Sequence, residues 1–155
     1  MYKLIQRFIL SLLCLSLLAT ASIAKESSAT IDPINTKTEE TRNKLIAAVV
    51  NDQLDAFSKD DGERAFSHAS PMIQAQFKTP ETFMRMVKAG YSMVYRPKSF
   101  EIENVQEENG IIYQPVLFTD QQNQLYKVLY LMQQQEDNIW KINGVQVLQP
   151  KGVAV

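Results

Sequence analysis

The chain is poor in the residues that build covalent links and metal sites. It has one cysteine and one histidine among 155 residues. Cys14 lies in an N-terminal segment that we expect to be removed, so the mature chain should form no disulfide bond and no thiolate metal site. His68 alone cannot bind zinc, because such a site needs three or four ligands. We therefore expect no metal, no cofactor and a fold stabilised by packing.

An excess of basic charge is also missing. The chain has 16 Lys and Arg residues against 17 Asp and Glu residues. Loss of the N-terminal segment would remove Lys3 and Arg7, leaving 14 basic against 17 acidic residues and a net charge of −3. Nucleic-acid binding needs clustered basic residues, so no nucleic-acid partner is expected.

Residues 1–24 have the composition of an export signal. Two basic residues precede an apolar run from Phe8 to Leu18, and small residues before Ala21 and Ala24 provide two cleavage sites. This run would span about 16 Å as a helix, whereas a bilayer needs about 20 residues. We predict a periplasmic or secreted protein that meets the membrane only through this signal. The alternative is an uncleaved anchor over residues 8–24.

The mature chain begins with a polar segment and continues as a helix. Residues 25–38 are polar and without period, which predicts a flexible tether. From Thr38 the apolar residues recur at helical spacing and share one face, as expected of a helix laid on a core. Gln53 falls inside this apolar face, so we predict that its side chain is buried and hydrogen-bonded.

Three shorter helices are predicted from their end signals. Asp60 with Glu63 has the spacing of a capping box. Ser70 before Pro71, and Thr79 before Pro80, each combine a hydroxyl cap with proline at the first helical position. The last helix should end at Gly90 in the left-handed conformation, and residues 91–97 should then leave the helix.

Beyond Lys98 the hydrophobic period falls to two, which predicts strands at 99–106, 111–119, 124–133 and 139–149. Asn109-Gly110 predicts a tight hairpin, while Pro115 and Gly144 predict an edge position or a bulge. The fold class predicted is α+β, with the N-terminal helices on one face of a curved four-stranded antiparallel sheet, an open cone. A single domain is expected over residues 39–150.

One cluster has the residue types of a small-molecule site. It combines aromatic rings with amides and one cation, a set able to hold a polar or anionic ligand. Its members are Gln53, Gln74, Gln76, Phe77, Tyr91, Tyr95 and Arg96. The alternative is that the tyrosines close the core between helix and sheet, and that Arg96 holds a loop.

No set of residues indicates a catalytic site. His68 could act as a general base, but the sequence positions no acid beside it, and a helix-terminal role is the alternative. Asp52 and Asp55 lie away from the apolar face of the first helix and are read as solvated. We therefore name no catalytic residue and lean against an enzyme.

From Gln53 to Leu148 the chain resembles a bacterial family known as domain of unknown function 4864. The resemblance is specific in the block Val94-Tyr95-Arg96-Pro97 and covers nearly all of the folded part. The other matching residues are Gln53-Leu54-Asp55-Ala56-Phe57, Asp60-Asp61, Ala65-Phe66, Ala69-Ser70-Pro71, Ile73-Gln74, Phe77, Phe83, Met86-Val87, Gly90-Tyr91 and Trp140-Lys141-Ile142. The family is similar to the cystatin-like cone folds of the nuclear transport factor two superfamily, which implies a cone and no established activity. The chain departs from the family pattern at Val145, where a cysteine often follows the glycine.

Three functions remain open at this stage. The first is a module that binds a small ligand or a partner segment inside the cone, and the second is an isomerase- or dehydratase-like enzyme, by fold analogy alone. The third is a structural dimer or a protein partner docked on the sheet. The surface predicted for it is the face opposite the leucines of the third strand, with Tyr126, Val128, Tyr130 and Met132. If the sheet instead encloses this face, the leucines lie outside.

Overall fold

Helices come first along the chain and strands follow, as the change in period predicted. The computed structural model describes residues 33–148, so the export signal predicted over residues 1–24 lies outside them. The helices in this range are α1 (Pro33–Ser58), α2 (Gly62–Ser67), α3 (Pro71–Phe77), α4 (Pro80–Gly90) and α5 (Ser92–Tyr95). The strands are β1 (Ser99–Ile102), β2 (Gln106–Glu108), β3 (Ile111–Thr119), β4 (Leu125–Gln134) and β5 (Trp140–Leu148). Within the described residues, no helix has the length and apolarity required to span a membrane.

The strands form one antiparallel sheet in the order β1-β3-β4-β5, and β2 also pairs with β3. The predicted α+β class is confirmed. The described sheet has five strands and not four, because the run predicted at 99–106 is divided by residues 103–105, which lie outside both strands.

Pro115 explains why this run is divided. Its carbonyl oxygen accepts a hydrogen bond from Glu103 N at 3.0 Å, but a proline has no amide to return to the Glu103 carbonyl. The buried side chain of Gln114 supplies the missing donor, since its Nε2 lies 2.6 Å from Glu103 O. Pairing with β3 resumes only at Gln106, opposite Tyr113.

Two glycine signals have the predicted effect on the sheet. Asn109 and Gly110 both have positive φ angles, 52° and 76°, and form the two-residue turn between β2 and β3. Beside Gly144 the register of β5 slips by one residue, because Leu131 pairs with Gly144 while Met132 pairs with Ile142. Asn143 is the extra residue of this bulge.

The core lies between the helices and one face of the sheet. The predicted apolar face of α1 is confirmed, since Ile46, Val50, Leu54 and Phe57 are at most 4% exposed. They pack in one cluster with buried side chains of α2, α4 and α5 and of the three long strands. Burial of this area removes apolar surface from water and is the main stabilising contribution to the fold.

The starts of two helices differ from the predicted positions. α1 begins at Pro33, so the last residues assigned to the tether are helical. α2 is capped by Asp61 and not by Asp60, because Asp61 Oδ1 accepts from Arg64 N at 3.1 Å. Asp60 has a positive φ of 57°, and its carboxylate binds side chains further along the chain. The caps predicted at Ser70 and Thr79 are confirmed.

The end of α4 was predicted incorrectly. Gly90 is the last residue of α4 and does not adopt the left-handed conformation, since Gly110 is the only described glycine with a positive φ. Tyr91 caps α4 with φ −135°, and the chain then forms α5 instead of leaving the helix at once. A second short helix here brings Val94 into the core at 3% exposure.

The surface predicted for dimerisation is buried. Val128 and Tyr130 are fully buried and Met132 is 6% exposed, because the helices cover the face of β4 that carries them. Tyr126, on the same face, is partly buried and packs against the core. The opposite face, which carries Leu129 and Leu131, is only partly buried. The structure therefore corrects the partner surface and matches the alternative in which the leucines lie outside.

The free edge of β5 is partly occupied by the segment between α2 and α3. Ser70 N donates to Ile142 O at 2.8 Å, and Ile142 N donates to His68 O at 2.9 Å. These bonds form an isolated parallel bridge between Ala69 and Ile142. Ser70 Oγ also donates to Asn143 Oδ1 at 2.7 Å, which joins the start of α3 to the bulge of β5.

Candidate functional site

A cavity of about 250 Å³ lies between the helices and the covered face of the sheet. Its walls come from α1, α3, α4, α5, β4 and β5. Most of them are apolar, among them Phe57, Ile73, Phe77, Phe83, Val87, Val94, Ile142 and Val145. An engineered protein cavity of about 150 Å³ holds benzene, while drug-sized ligands occupy about 300–1,000 Å³. The cavity is therefore the size of a small monocyclic molecule or a short chain.

Tyr130 gives this cavity an unpaired polar group. The side chain is fully buried in the middle of β4 and lines the cavity, and its hydroxyl has no hydrogen-bond partner among the described residues. Burial raises the pKa of the Tyr130 hydroxyl, so the group keeps its proton and remains a donor at neutral pH. A buried hydroxyl without a partner costs about 1–3 kcal/mol. The other unpaired buried atom in the described range, Gln114 Oε1, belongs to a residue that lines a separate groove beside residues 102–105.

Gln53 supplies the second buried polar group of the cavity wall. The prediction for this residue is confirmed, since it is 3% exposed and its Nε2 donates to Ala65 O at 3.1 Å. Because a carbonyl can only accept, this bond fixes which end of the amide points at Ala65.

α3 forms one wall of the cavity and buries little of its own surface against the rest of the domain. None of its residues is fully buried, although Ile73, Gln76 and Phe77 line the cavity. Gln74 does not reach the cavity. Its Nε2 instead donates to Phe66 O at 3.1 Å and to Ala69 O at 3.0 Å, which ties α3 to the end of α2.

Tyr91 contacts the cavity, whereas Tyr95 and Arg96 lie elsewhere. Both of the latter bind Asp60, at the turn between α1 and α2: the Tyr95 hydroxyl donates to Oδ1, and Arg96 Nη2 lies 2.5 Å from Oδ2. Lys88 Nζ, 2.8 Å from Asp60 Oδ1, and Arg96 each lie 5.0 Å from the Tyr95 ring centre. The predicted cluster has seven residues. The structure brings four of them together at the cavity, Gln53, Gln76, Phe77 and Tyr91. It places Gln74, Tyr95 and Arg96 in structural contacts elsewhere.

The Asp60 cluster predicts an acid-sensitive contribution to stability. Hydrogen bonds from Lys88 and then Tyr95 lower the pKa of Asp60 from 3.8 to about 2. A lowered carboxyl pKa gives stability that is complete above pH 3.8 and is lost as the pH falls through about 2. We expect the Asp60→Asn variant to be less stable than wild type at pH 6 and equal to it near pH 2. Asparagine suits this test because it tolerates the left-handed backbone of residue 60.

Thermal unfolding of both proteins between pH 2 and pH 6 measures this difference. Lys88→Gln removes the ammonium group that contributes most to lowering the pKa of Asp60. The thermal midpoint of this variant should therefore also fall less than that of wild type between pH 6 and pH 2. A constant difference in midpoint across this pH range would contradict the prediction.

His68 has an acidic partner that the sequence did not indicate. Its Nε2 lies 2.6 Å from Asp52 Oδ2, and this hydrogen bond is the main cause that lowers the pKa of Asp52. Arg64 Nε also lies 3.2 Å from Asp52 Oδ2. His68 caps the C-terminal end of α2, as its structural alternative predicted, and neither it nor Asp52 lines the cavity. Sixteen residues separate the pair, too far for a local spacing pattern.

Within the part of the chain that the structure describes, no group of three or more His, Cys, Asp or Glu side chains is placed to hold a metal ion. The residue that sequence reasoning missed at the cavity is Tyr130. The available signal was the alternation of side chains between the two faces of β4. Because both faces of that strand are apolar, the alternation does not show which face is inside, and Tyr130 was predicted to lie on the outer face.

Comparison with known proteins gives one family and no relatives with an assigned role. No curated protein and no solved structure matches the chain. The family described as a domain of unknown function (DUF4864) matches residues 39–155, which includes α1 from Glu39 and every later element. The similarity to cystatin-like cone folds stays a prediction. The resemblance to the family itself is confirmed, and the chain belongs to the DUF4864 family.

Proposed function

We propose that this chain is an exported protein that binds a small, mainly apolar molecule in the cavity beneath α3. The observation that carries the proposal is that Tyr130, whose buried hydroxyl has no partner among the described residues, lines an apolar cavity. A bound molecule would supply both the missing hydrogen bond and the missing van der Waals contacts. Export is part of the proposal and rests on the basic start, short apolar run and small residues of the first 24 positions.

The character of the wall favours binding over catalysis. The described residues that line the cavity include no acid, no histidine and no basic side chain. Proton transfer needs a group whose pKa lies near the working pH, and Tyr130 is shifted away from that range. This composition of the described lining favours the binding proposal over the isomerase- or dehydratase-like alternative.

The cavity is tested with toluene, an apolar probe slightly larger than benzene. Toluene should raise the thermal midpoint of the mature protein in a concentration-dependent way, because a ligand that binds only the folded state stabilises it. The NMR signals of the Val87 and Val145 methyl groups should shift during the same titration, since both line the cavity.

Two matched variants show whether the cavity is the site. Val145 and Val147 both face the core from β5, but only Val145 lines the cavity. We expect Val145→Phe to fill the cavity and abolish the toluene effects, and Val147→Phe to retain them. The proposal fails if wild type shows no effect up to the solubility limit of toluene, or if Val145→Phe responds as wild type does.

A further inference from the structure

The two buried polar side chains of the cavity wall, Tyr130 and Gln53, have opposite hydrogen-bonding character. The Tyr130 hydroxyl has a proton to donate and no acceptor among the described residues. Gln53 Oε1 can only accept, and its Nε2 is already committed to Ala65 O. Both side chains line the same cavity, whose volume of about 250 Å³ suits a single small molecule. Tyr130 and Gln53 therefore offer such a molecule one donor and one acceptor.

The absence of charge from the described wall limits what this polar group can be. A carboxylate or phosphate would lose its hydration and find no cation there, since Arg96 and Lys88 are bound to Asp60 outside the cavity. An ammonium group would likewise find no carboxylate. Burying an unpaired ion costs several kcal/mol, more than one or two hydrogen bonds return.

We infer that the cavity selects an uncharged molecule with an apolar body and one polar group that both accepts and donates, such as an alcohol or a primary amide. Tyr130 donates to this group, and Gln53 accepts from it. The inference rests on the proposed function and adds the chemical class of the ligand. Of the polar and anionic ligands that the sequence left open, it favours the polar one, because Arg96 lies outside the cavity.

The test compares three probes of one shape: toluene, benzyl alcohol and benzoate. Their dissociation constants are measured by NMR titration at pH 7 against wild type and Tyr130→Phe, which removes only the hydroxyl. For benzyl alcohol, Tyr130→Phe should weaken binding about three- to tenfold, the usual contribution of one hydrogen bond. For toluene it should leave the affinity nearly unchanged, because the hydroxyl is already buried without a partner in the unbound protein and toluene cannot form a hydrogen bond with it. Benzoate should bind at least tenfold more weakly than benzyl alcohol.

Failure of this inference is distinct from failure of the proposed function. If toluene binds but Tyr130→Phe leaves the affinity for benzyl alcohol unchanged, the cavity is a binding site and the assigned role of Tyr130 is wrong. Benzoate binding as tight as that of benzyl alcohol would overturn the requirement for an uncharged ligand. If neither toluene nor benzyl alcohol binds wild type, the proposed function itself falls. Unfolding curves of Tyr130→Phe confirm that the variant is folded before any titration.

Discussion

Phe83→Ala is expected to lower the free energy of unfolding by about 3–5 kcal/mol, the usual cost of removing a buried phenylalanine ring. Phe83 is 6% exposed and lies at the centre of an aromatic cluster. Its ring centre is 5.3 Å from that of Phe66, 5.8 Å from that of Phe77 and 6.2 Å from that of Phe57. Because these rings come from α1, α2, α3 and α4, no single neighbour can move to fill the space. Urea unfolding followed by tryptophan fluorescence measures the loss.

Phe100→Ala is the matched control for this prediction. The ring of Phe100 is 41% exposed on β1 and has one aromatic neighbour, Phe118, at 6.1 Å. We expect this substitution to cost less than half as much as Phe83→Ala, since much of the ring is already in water. Equal losses would show that the aromatic cluster does not stabilise the fold in the way that its packing indicates.

Gln53→Ala is expected to lower the free energy of unfolding by about 1–3 kcal/mol. The substitution removes the only side-chain donor to Ala65 O in the described structure and leaves that carbonyl buried, because Ala65 is fully buried. It also removes part of the wall between α1 and the cavity. Urea unfolding with the same fluorescence signal measures the effect.

Gln76→Ala provides the control for Gln53→Ala, since it is the same substitution at an exposed residue of α3 that also lines the cavity. Its effect on stability should stay within about 0.5 kcal/mol, as is usual for surface positions. If Gln53→Ala proves no more destabilising than Gln76→Ala, the bond to Ala65 contributes nothing to folding, and Gln53 serves the ligand alone.

Local signals predicted much of the secondary structure. Ser70-Pro71 and Thr79-Pro80 indicate helix starts correctly, because a hydroxyl cap followed by proline satisfies needs that arise within one turn. Asn109-Gly110 does so for the hairpin, because few other residue pairs tolerate two positive φ angles. The error between Asp60 and Asp61 has a tertiary cause. Lys88 and Arg96 engage Asp60 from other elements, and no local pattern shows this.

The candidate site was predicted less well because it depends on which face of β4 the helices cover. One face carries Leu129 and Leu131, and the other carries Val128 and Tyr130, so alternation alone does not distinguish inside from outside. The prediction took the face that carries Tyr130 to be exposed, whereas the structure buries it beside the cavity. Gln53 was found because a single amide interrupts an otherwise apolar helix face, which is a signal contained within one element.

The division of the first strand run has a consequence for solubility. A continuous edge strand offers its unpaired backbone groups to a second chain, and this is a common start of aggregation. Here the β1–β2 edge is interrupted opposite Pro115 and carries Glu101, Glu107 and Glu108. At the other side of the sheet, residues 68–70 already occupy part of the edge of β5. Neither edge of this sheet is therefore a long, uncharged template, and the folded domain should resist strand-to-strand aggregation even at high concentration.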